Sequence, residues 1–402
     1  MIRLPSPLKK VFLNENAWAD YARENIDSIR PSVIDAMVKL LSCGTTEMGF
    51  SVYQCSDSGC DHWHVIPHTC HGRFCPSCGK KATDQWIATQ QQLLPQTGWQ
   101  HIVFTMPDQL WPLSDINRWL LPKFNKIAAD ALLSVGRSKG LLPGIFTALH
   151  TFGRDLKWNS HIHASVTTCG LTEDGESLKD LYFPKHILRA RWKYGIIDLL
   201  RKSYDELVLP PRLARICRTA QEWSRWLDRE YQKTWIVHCS KGAKNHYHNV
   251  KYLGSYVKRP PIAMSKLLHY SGADITFEYF DHKTKSKKLL KVTKVKFIEL
   301  FIQHIPEKHQ RLINYYGFLA NRVRGKLLPK VHSIIGQQPK PAPKIKYPQL
   351  LKATFGTDPM ECLLCKKQMV LVGRDFGKSL STLRAESVRQ WCQPNRVVLR
   401  AA

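Results

Sequence analysis

The chain has 402 residues, enough for two or three domains with substantial cores. Its 43% hydrophobic and 23% charged residues exclude a disordered or fibrous chain, and no apolar run reaches the about 20 residues that a membrane span needs. Sixty Lys and Arg against 32 Asp and Glu leave a formal charge of +28, which points to a polyanionic partner, most often nucleic acid, because cations on phosphates release condensed counterions.

The first twenty residues lack the apolar core of a secretory signal, so a cytoplasmic protein with no membrane partner is expected. Ile29, Val33, Ile34, Met37 and Leu41 recur at helical spacing and predict helix over 12–42. A Gly- and Cys-rich stretch follows over 43–80, and a helix is expected to leave it over 81–97. The β-branched run at 100–106, closed by Pro107, predicts a strand. Residues 109–140 read as helical. Two strands are expected over 145–152 and 161–168, separated by the polar turn RDLKWNS.

An Arg-rich helical stretch over 186–230 precedes a further strand at 234–239 and a Lys- and His-rich loop. Residues 248–258 read as a helix stopped by Pro260 and Pro261. A basic hairpin is expected over 274–292, then helices over 294–304 and 308–323. Residues 337–349 form a Pro- and Lys-rich linker. Charge is concentrated in this half, with 20 Lys and Arg against 5 Asp and Glu between 241 and 340. The order of elements predicts an α+β protein: a first domain over 1–97, a second over 98–336 with a helical insertion at 186–230, and a tail over 337–402.

Six of the twelve cysteines (Cys43, Cys55, Cys60, Cys70, Cys75, Cys78) lie in one short segment, and in a reducing cytosol such clustering argues for metal ligation. Cys55-x4-Cys60 and Cys75-x2-Cys78 supply two pairs for a structural Zn²⁺, which wants four S or N ligands in a tetrahedron. Those four are the first choice. Cys70 is a fifth candidate, and His68, His71 or Cys43 could replace one member. Trp63 and Phe74 could cover such a site. Cys362-x2-Cys365 in the tail is half of a second site, with only Cys392 beyond it.

His161-Ile162-His163 alternates as a strand should, so both imidazoles share a face while Ile162 points to the core. Two imidazoles need one more group to hold a divalent metal. His150, on the preceding strand, is the first candidate, and Asp155 in the turn is the alternative. Tyr252 and Tyr256, at i and i+4, share one helix face, flanked by the phosphate-seeking cations Lys251, Lys258 and Arg259. A phenol of ordinary pKa, about 10, attacks a phosphate poorly without such help or a metal ion on the phosphate.

In this order the cysteine-rich segment, FTMP, LHTFGRDLKWNSHIH, YLGSYVKRPPI and YYGFLANRVRG resemble the two-tyrosine HUH transposases of rolling-circle insertion sequences, over nearly all of residues 40–336. The HUH element (His, bulky apolar, His) is His161-Ile162-His163, and the tyrosine pair is Tyr252 and Tyr256. The resemblance implies an HUH-endonuclease palm with an antiparallel sheet and helices, preceded by a small cysteine-rich zinc-binding domain. It also implies a single-strand DNA endonuclease and ligase that uses Mg²⁺ or Mn²⁺. On it, His161, His163 and His150 hold the metal, Tyr252 and Tyr256 attack, and Lys251, Lys258, Arg259, Arg322 and Arg324 contact DNA. The implied partners are element ends, target DNA and a host helicase or replication machinery, since no GxxxxGK[ST] motif is present. DNA binding would then associate the protein with the bacterial nucleoid. A plasmid replication initiator or relaxase, and a non-catalytic zinc-dependent DNA-binding protein, are the rival readings.

Overall fold

A computed structural model describes residues 6–243, 247, 250, 254, 260–281, 284–341, 352, 356 and 358–392. Its strands are β1 (Phe50–Cys55), β2 (Trp63–Pro67), β3 (Trp99–Phe104), β4 (Leu141–Phe152), β5 (Trp158–Thr172), β6 (Leu178–Asp180) and β7 (Val237–Cys239), then β8 (Leu267–His269), β9 (Asp274–Asp281), β10 (Ser286–Thr293), β11 (Ile313–Gly317) and β12 (Met369–Asp375). They form three antiparallel sheets. The largest runs β11-β4-β5-β3-β7, with β6 beside the far end of β5.

Strand alternation divides this sheet into two working faces. On one, Ile102, Phe104, Ile145, Leu149, Ile162 and Ala164 meet the apolar stripes of helices Leu120–Arg137, Lys185–Lys202 and Ala220–Gln232, with Trp192 and Trp223 fully enclosed. Trp99, Phe146 and Ala148 occupy the other, beneath Trp86 of helix Pro76–Leu93 and Leu328 and Val331 of helix Asn321–Ile334. The histidine strand lies between β4 and β3, the most constrained position in the sheet.

A second core gathers the N-terminal helices Pro7–Leu13, Ala17–Asn25 and Pro31–Ser42 with β8, β9, helix Lys294–Ile302 and helix Leu380–Cys392. Trp18 meets Trp391 edge to face at 5.5 Å, and Arg23 Nε donates to the Trp391 carbonyl. The third sheet, β12-β1-β2, carries Cys55 at the end of β1. Residues 358–392 are therefore built into the N-terminal region, across the linear boundary expected at 97.

Two local expectations differ from the structure. The helical stretch expected over 12–42 is divided among three helices, because Glu15 and Asn16 take left-handed φ of 54° and 53° and Pro31 starts the third helix afresh. Part of the helix expected over 308–323 is the edge strand β11, with helix resuming only at Asn321. Tyr315 and Tyr316 suit a pleated surface better than a helix, and each finds an aromatic or aliphatic partner across β4, at Phe146 and Ile145.

Candidate active site and metal centres

His150 and His161 face each other across the β4–β5 ladder, and His163 stands opposite Ala148 on β4 and Val103 on β3. All three imidazoles therefore project from the Trp86 face, while Ile162 between two of them is fully buried on the opposite side. Their ligand nitrogens lie within 4.8 Å of one another. The Nε2 atoms of His161 and His163 are 3.0 Å apart, about the spacing of adjacent ligands on an octahedral ion with bonds of ~2.1 Å. Asp155 sits instead in the turn, where it accepts from the Lys157 backbone and pairs with the Lys157 amine.

The far nitrogens decide which lone pairs face inward. His161 Nδ1 donates to the Asn159 carbonyl at 2.8 Å, which leaves its Nε2 unprotonated. His163 Nδ1 lies 2.9 Å from His101 Nε2, and when Nδ1 is the donor, His163 Nε2 also presents a lone pair. Burial, then the neighbouring imidazoles, holds His150 and His163 well below the ordinary histidine pKa, and burial lowers His161. Neutral imidazoles converging on one point fit a divalent cation. His101 was not singled out from the sequence. The signal was there: in QHIVF, residues 101 and 103 must share a face of β3.

Tyr252, Tyr256, Lys251, Lys258 and Arg259 lie outside the described residues. Two residues of the same segment are described, and both sit on the histidine side of the sheet. Val250 is buried among Trp86, Trp99 and Phe146. Gly254, midway between the tyrosines in sequence, packs so closely on Ile87 and Trp86 that a Cβ there would collide with the Ile87 side chain. Phe146, beneath Trp86, is on the same strand and face as His150. Arg324 rests on this face too, its guanidinium 5.8 Å from the Tyr315 ring, whereas Arg322 is exposed at the helix start.

The cysteines form two separate groups. Cys43, Cys70, Cys75 and Cys78 converge in one, and Cys55, Cys60, Cys362 and Cys365 in the other. The expected quartet of Cys55, Cys60, Cys75 and Cys78 therefore does not meet at one point. Cys55 ends β1 and is carried away from the helix that holds Cys75 and Cys78, and Cys43 and Cys70 complete that helix's group instead. Sulfur separations of 3.6–3.7 Å in the first group match a tetrahedron of ~2.3 Å Zn–S bonds, whose edges are ~3.8 Å. Cys75 caps the helix and Cys78 lies in its first turn, where the helix dipole favours a thiolate. Hydrogen bonds from the neighbouring thiols hold Cys78 well below the usual thiol pKa.

Comparison with known proteins agrees with this division. The transposase zinc-binding domain family matches residues 13–106, which hold the whole first cysteine group, and a family described as "Putative transposase" matches 144–326, which hold all three histidines. The chain is 43% identical over 392 residues to the "Transposase for insertion sequence element IS801" of Pseudomonas savastanoi pv. phaseolicola, covering 96% of this chain and 94% of that protein. It is 26% identical over 354 residues to the "Putative transposase y4qJ" of Sinorhizobium fredii (strain NBRC 101917 / NGR234), covering 84% and 88%. No solved structure matches it. The fold and the cysteine groups, taken with these matches, define a zinc-binding protein of α+β class that acts on DNA. The chain belongs to the insertion-sequence transposases with an IS91-type zinc-binding domain. Among the described residues, no helix is long and apolar enough to cross a membrane.

Proposed function

We propose that this transposase nicks and rejoins single-stranded DNA through a 5′-phosphotyrosine link, with Tyr252 and Tyr256 as nucleophiles and His150, His161 and His163 as ligands of Mg²⁺ or Mn²⁺. The observation that carries the reading is the convergence of three neutral imidazoles on the sheet face against which Val250 and Gly254, the neighbours of the tyrosines, are packed. A divalent ion held there supplies Lewis-acid polarisation of the scissile phosphate. One tyrosine Oη forms a bond to phosphorus as the P–O3′ bond breaks, the phenol losing its proton and the released 3′-oxygen gaining one. A 3′-hydroxyl on another strand then attacks the phosphotyrosine and frees the phenol, so no external energy is needed for joining. The second tyrosine accepts a second end while the first is still held.

The chain's own residues supply orientation. His101 and the Asn159 carbonyl hold His163 and His161 by their outer nitrogens, an arrangement that fixes the tautomer and angle of each ligand. Lys251, Lys258, Arg259, Arg322 and Arg324 are the proposed contacts to the DNA backbone. Cys43, Cys70, Cys75 and Cys78 hold the zinc ion of the zinc-binding domain, and four thiolates leave it no open position for catalysis. Unwinding is left to a host helicase or replication machinery.

The test is incubation with Mn²⁺ and end-labelled single strands carrying the ends of the element, resolved on a denaturing gel with and without protease. The expected result is a protein-linked labelled fragment that disappears in His161→Ala and in the Tyr252→Phe, Tyr256→Phe double variant. Tight binding with no covalent product on any single strand would overturn the reading in favour of a DNA-binding protein without nuclease chemistry.

A further inference from the structure

Outside the region that matches the zinc-binding family, Cys362 and Cys365 meet Cys55 and Cys60 although about three-quarters of the chain separates the pairs. We propose that these four thiolates bind a second zinc ion, which staples the C-terminal segment to the β1–β2 hairpin. Sulfur separations of 3.3 Å between Cys55 and Cys365 and 3.9 Å between Cys60 and Cys362 are far beyond the ~2.05 Å of a disulfide and bracket the edge of a zinc–thiolate tetrahedron.

The backbone around the sulfurs is built for thiolates on both sides. On the β1 side the Asp57 N–H donates to Cys55 Sγ at 3.4 Å, while Cys55 N–H bonds the His62 carbonyl and Cys60 N–H the Asp57 carbonyl, forming one tight knuckle. On the tail side Cys362 N–H bonds the Lys367 carbonyl and Lys366 N–H returns to the Cys362 carbonyl, with Lys366 in a left-handed turn at φ 64°. His62 Nδ1 lies 3.1 Å from Cys362 Sγ, an outer N–H···S contact of the kind that supports a ligand thiolate. β12 then continues from this knuckle into the ladder with β1, pairing Cys55 with Met369.

An ion pair also ties the two knuckles together. Lys367, two residues beyond Cys365, pairs at 2.8 Å with Asp57, two residues beyond Cys55.

The test measures metal, not nuclease activity, so it is independent of the proposed DNA chemistry. The full-length chain, purified without chelator, is analysed by plasma emission and by mercurial titration with a colorimetric zinc indicator. Two zinc ions per chain are expected. A Cys362→Ser, Cys365→Ser variant should keep one, as should Cys75→Ser, Cys78→Ser, and the two losses should add. If either variant is insoluble, the wild-type titration alone decides, with two zinc ions released once mercurial has titrated all the thiols, twelve in the whole chain. One zinc ion in the wild-type chain, two in the tail variant, or iron in place of the second ion would each overturn the proposal.

Discussion

The histidine sheet and the cysteine region hold themselves together by opposite means. Around the sheet, Trp192, Trp223, Phe104, Phe124 and Phe183 are fully buried and five strands interlock, so the histidine face is presented by a frame that stands without any ion. The cysteine region has no comparable core. Its clusters consist of the cysteines themselves with Met48, Met369 and Tyr53, and its three short strands leave Trp63, Leu371 and Val372 exposed. Such a region must draw its stability from metal–ligand bonds, as small domains with little apolar interior generally do. On this comparison, exchanging the proposed metal-binding histidines should cost the first region little stability, whereas exchanging cysteines of either group should loosen the second.

Removing zinc breaks the comparison most sharply. Structural zinc contributes on the order of 10 kcal/mol to the folding of small metal-bound units. Chelation should therefore expose β1, β2 and β12 to limited proteolysis while the segment from β3 to helix Asn321–Ile334 stays resistant. Uniform cleavage across both regions would contradict the division. In the sheet region the largest single effect expected is at Trp192, fully buried, with its indole N–H donating to the Thr105 carbonyl at 2.7 Å. Trp192→Ala should cost about 3–5 kcal/mol in denaturant unfolding, with zinc content unchanged.

Gly254→Ala tests whether the tyrosine segment depends on its seat beside helix Pro76–Leu93. The added methyl must displace Ile87, so cleavage of single-stranded DNA should fall by roughly 10- to 100-fold, or about 1–3 kcal/mol. His161→Ala would abolish cleavage without a comparable loss of stability. Unaltered cleavage rates in Gly254→Ala would remove the packing argument.

The most gradual expected effect is on acid stability. His304 is pushed down to about 3 by burial, with its nitrogens 3.1 Å from the Thr151 hydroxyl and 2.9 Å from the Leu156 carbonyl. It is neutral in the fold but protonates near pH 6.5 once unfolded. Native stability therefore declines as pH falls from about 6.5 toward 3, by up to about 1.4 kcal/mol per unit. Denaturant midpoints at pH 7, 6 and 5 should fall less steeply in His304→Phe than in the wild-type chain.

What the sequence revealed follows the range of the interactions involved. The alternation at 161–163 gave the shared face of His161 and His163 because a strand's period is local, and the short turn at 153–160 made His150 the natural partner. Cysteine spacing gave pairs for the same reason, since each knuckle closes over a few residues. Which pairs meet is a tertiary fact. Cys55 and Cys60 look toward Cys75 and Cys78 in sequence, but β1 and β12 run together and bring Cys362 and Cys365 instead. At β11 an aromatic pair in a mixed apolar run was equally compatible with helix. Pairing with β4, more than 160 residues earlier, made it a strand.

The ladder between β1 and β12 also orders events in time. Cys60 and Cys362 are 302 residues apart, and at synthesis rates of about 5–20 residues per second the ribosome takes roughly 15–60 s to travel between them. Throughout that interval the Cys55–Cys60 knuckle waits with two of its four proposed ligands and two of its sheet's three strands, and β12 follows only after the sheet that carries the histidines has emerged. A chain interrupted anywhere before residue 369 leaves β1 without its second partner strand, so translation as far as β12 is itself written into the architecture of the N-terminal region.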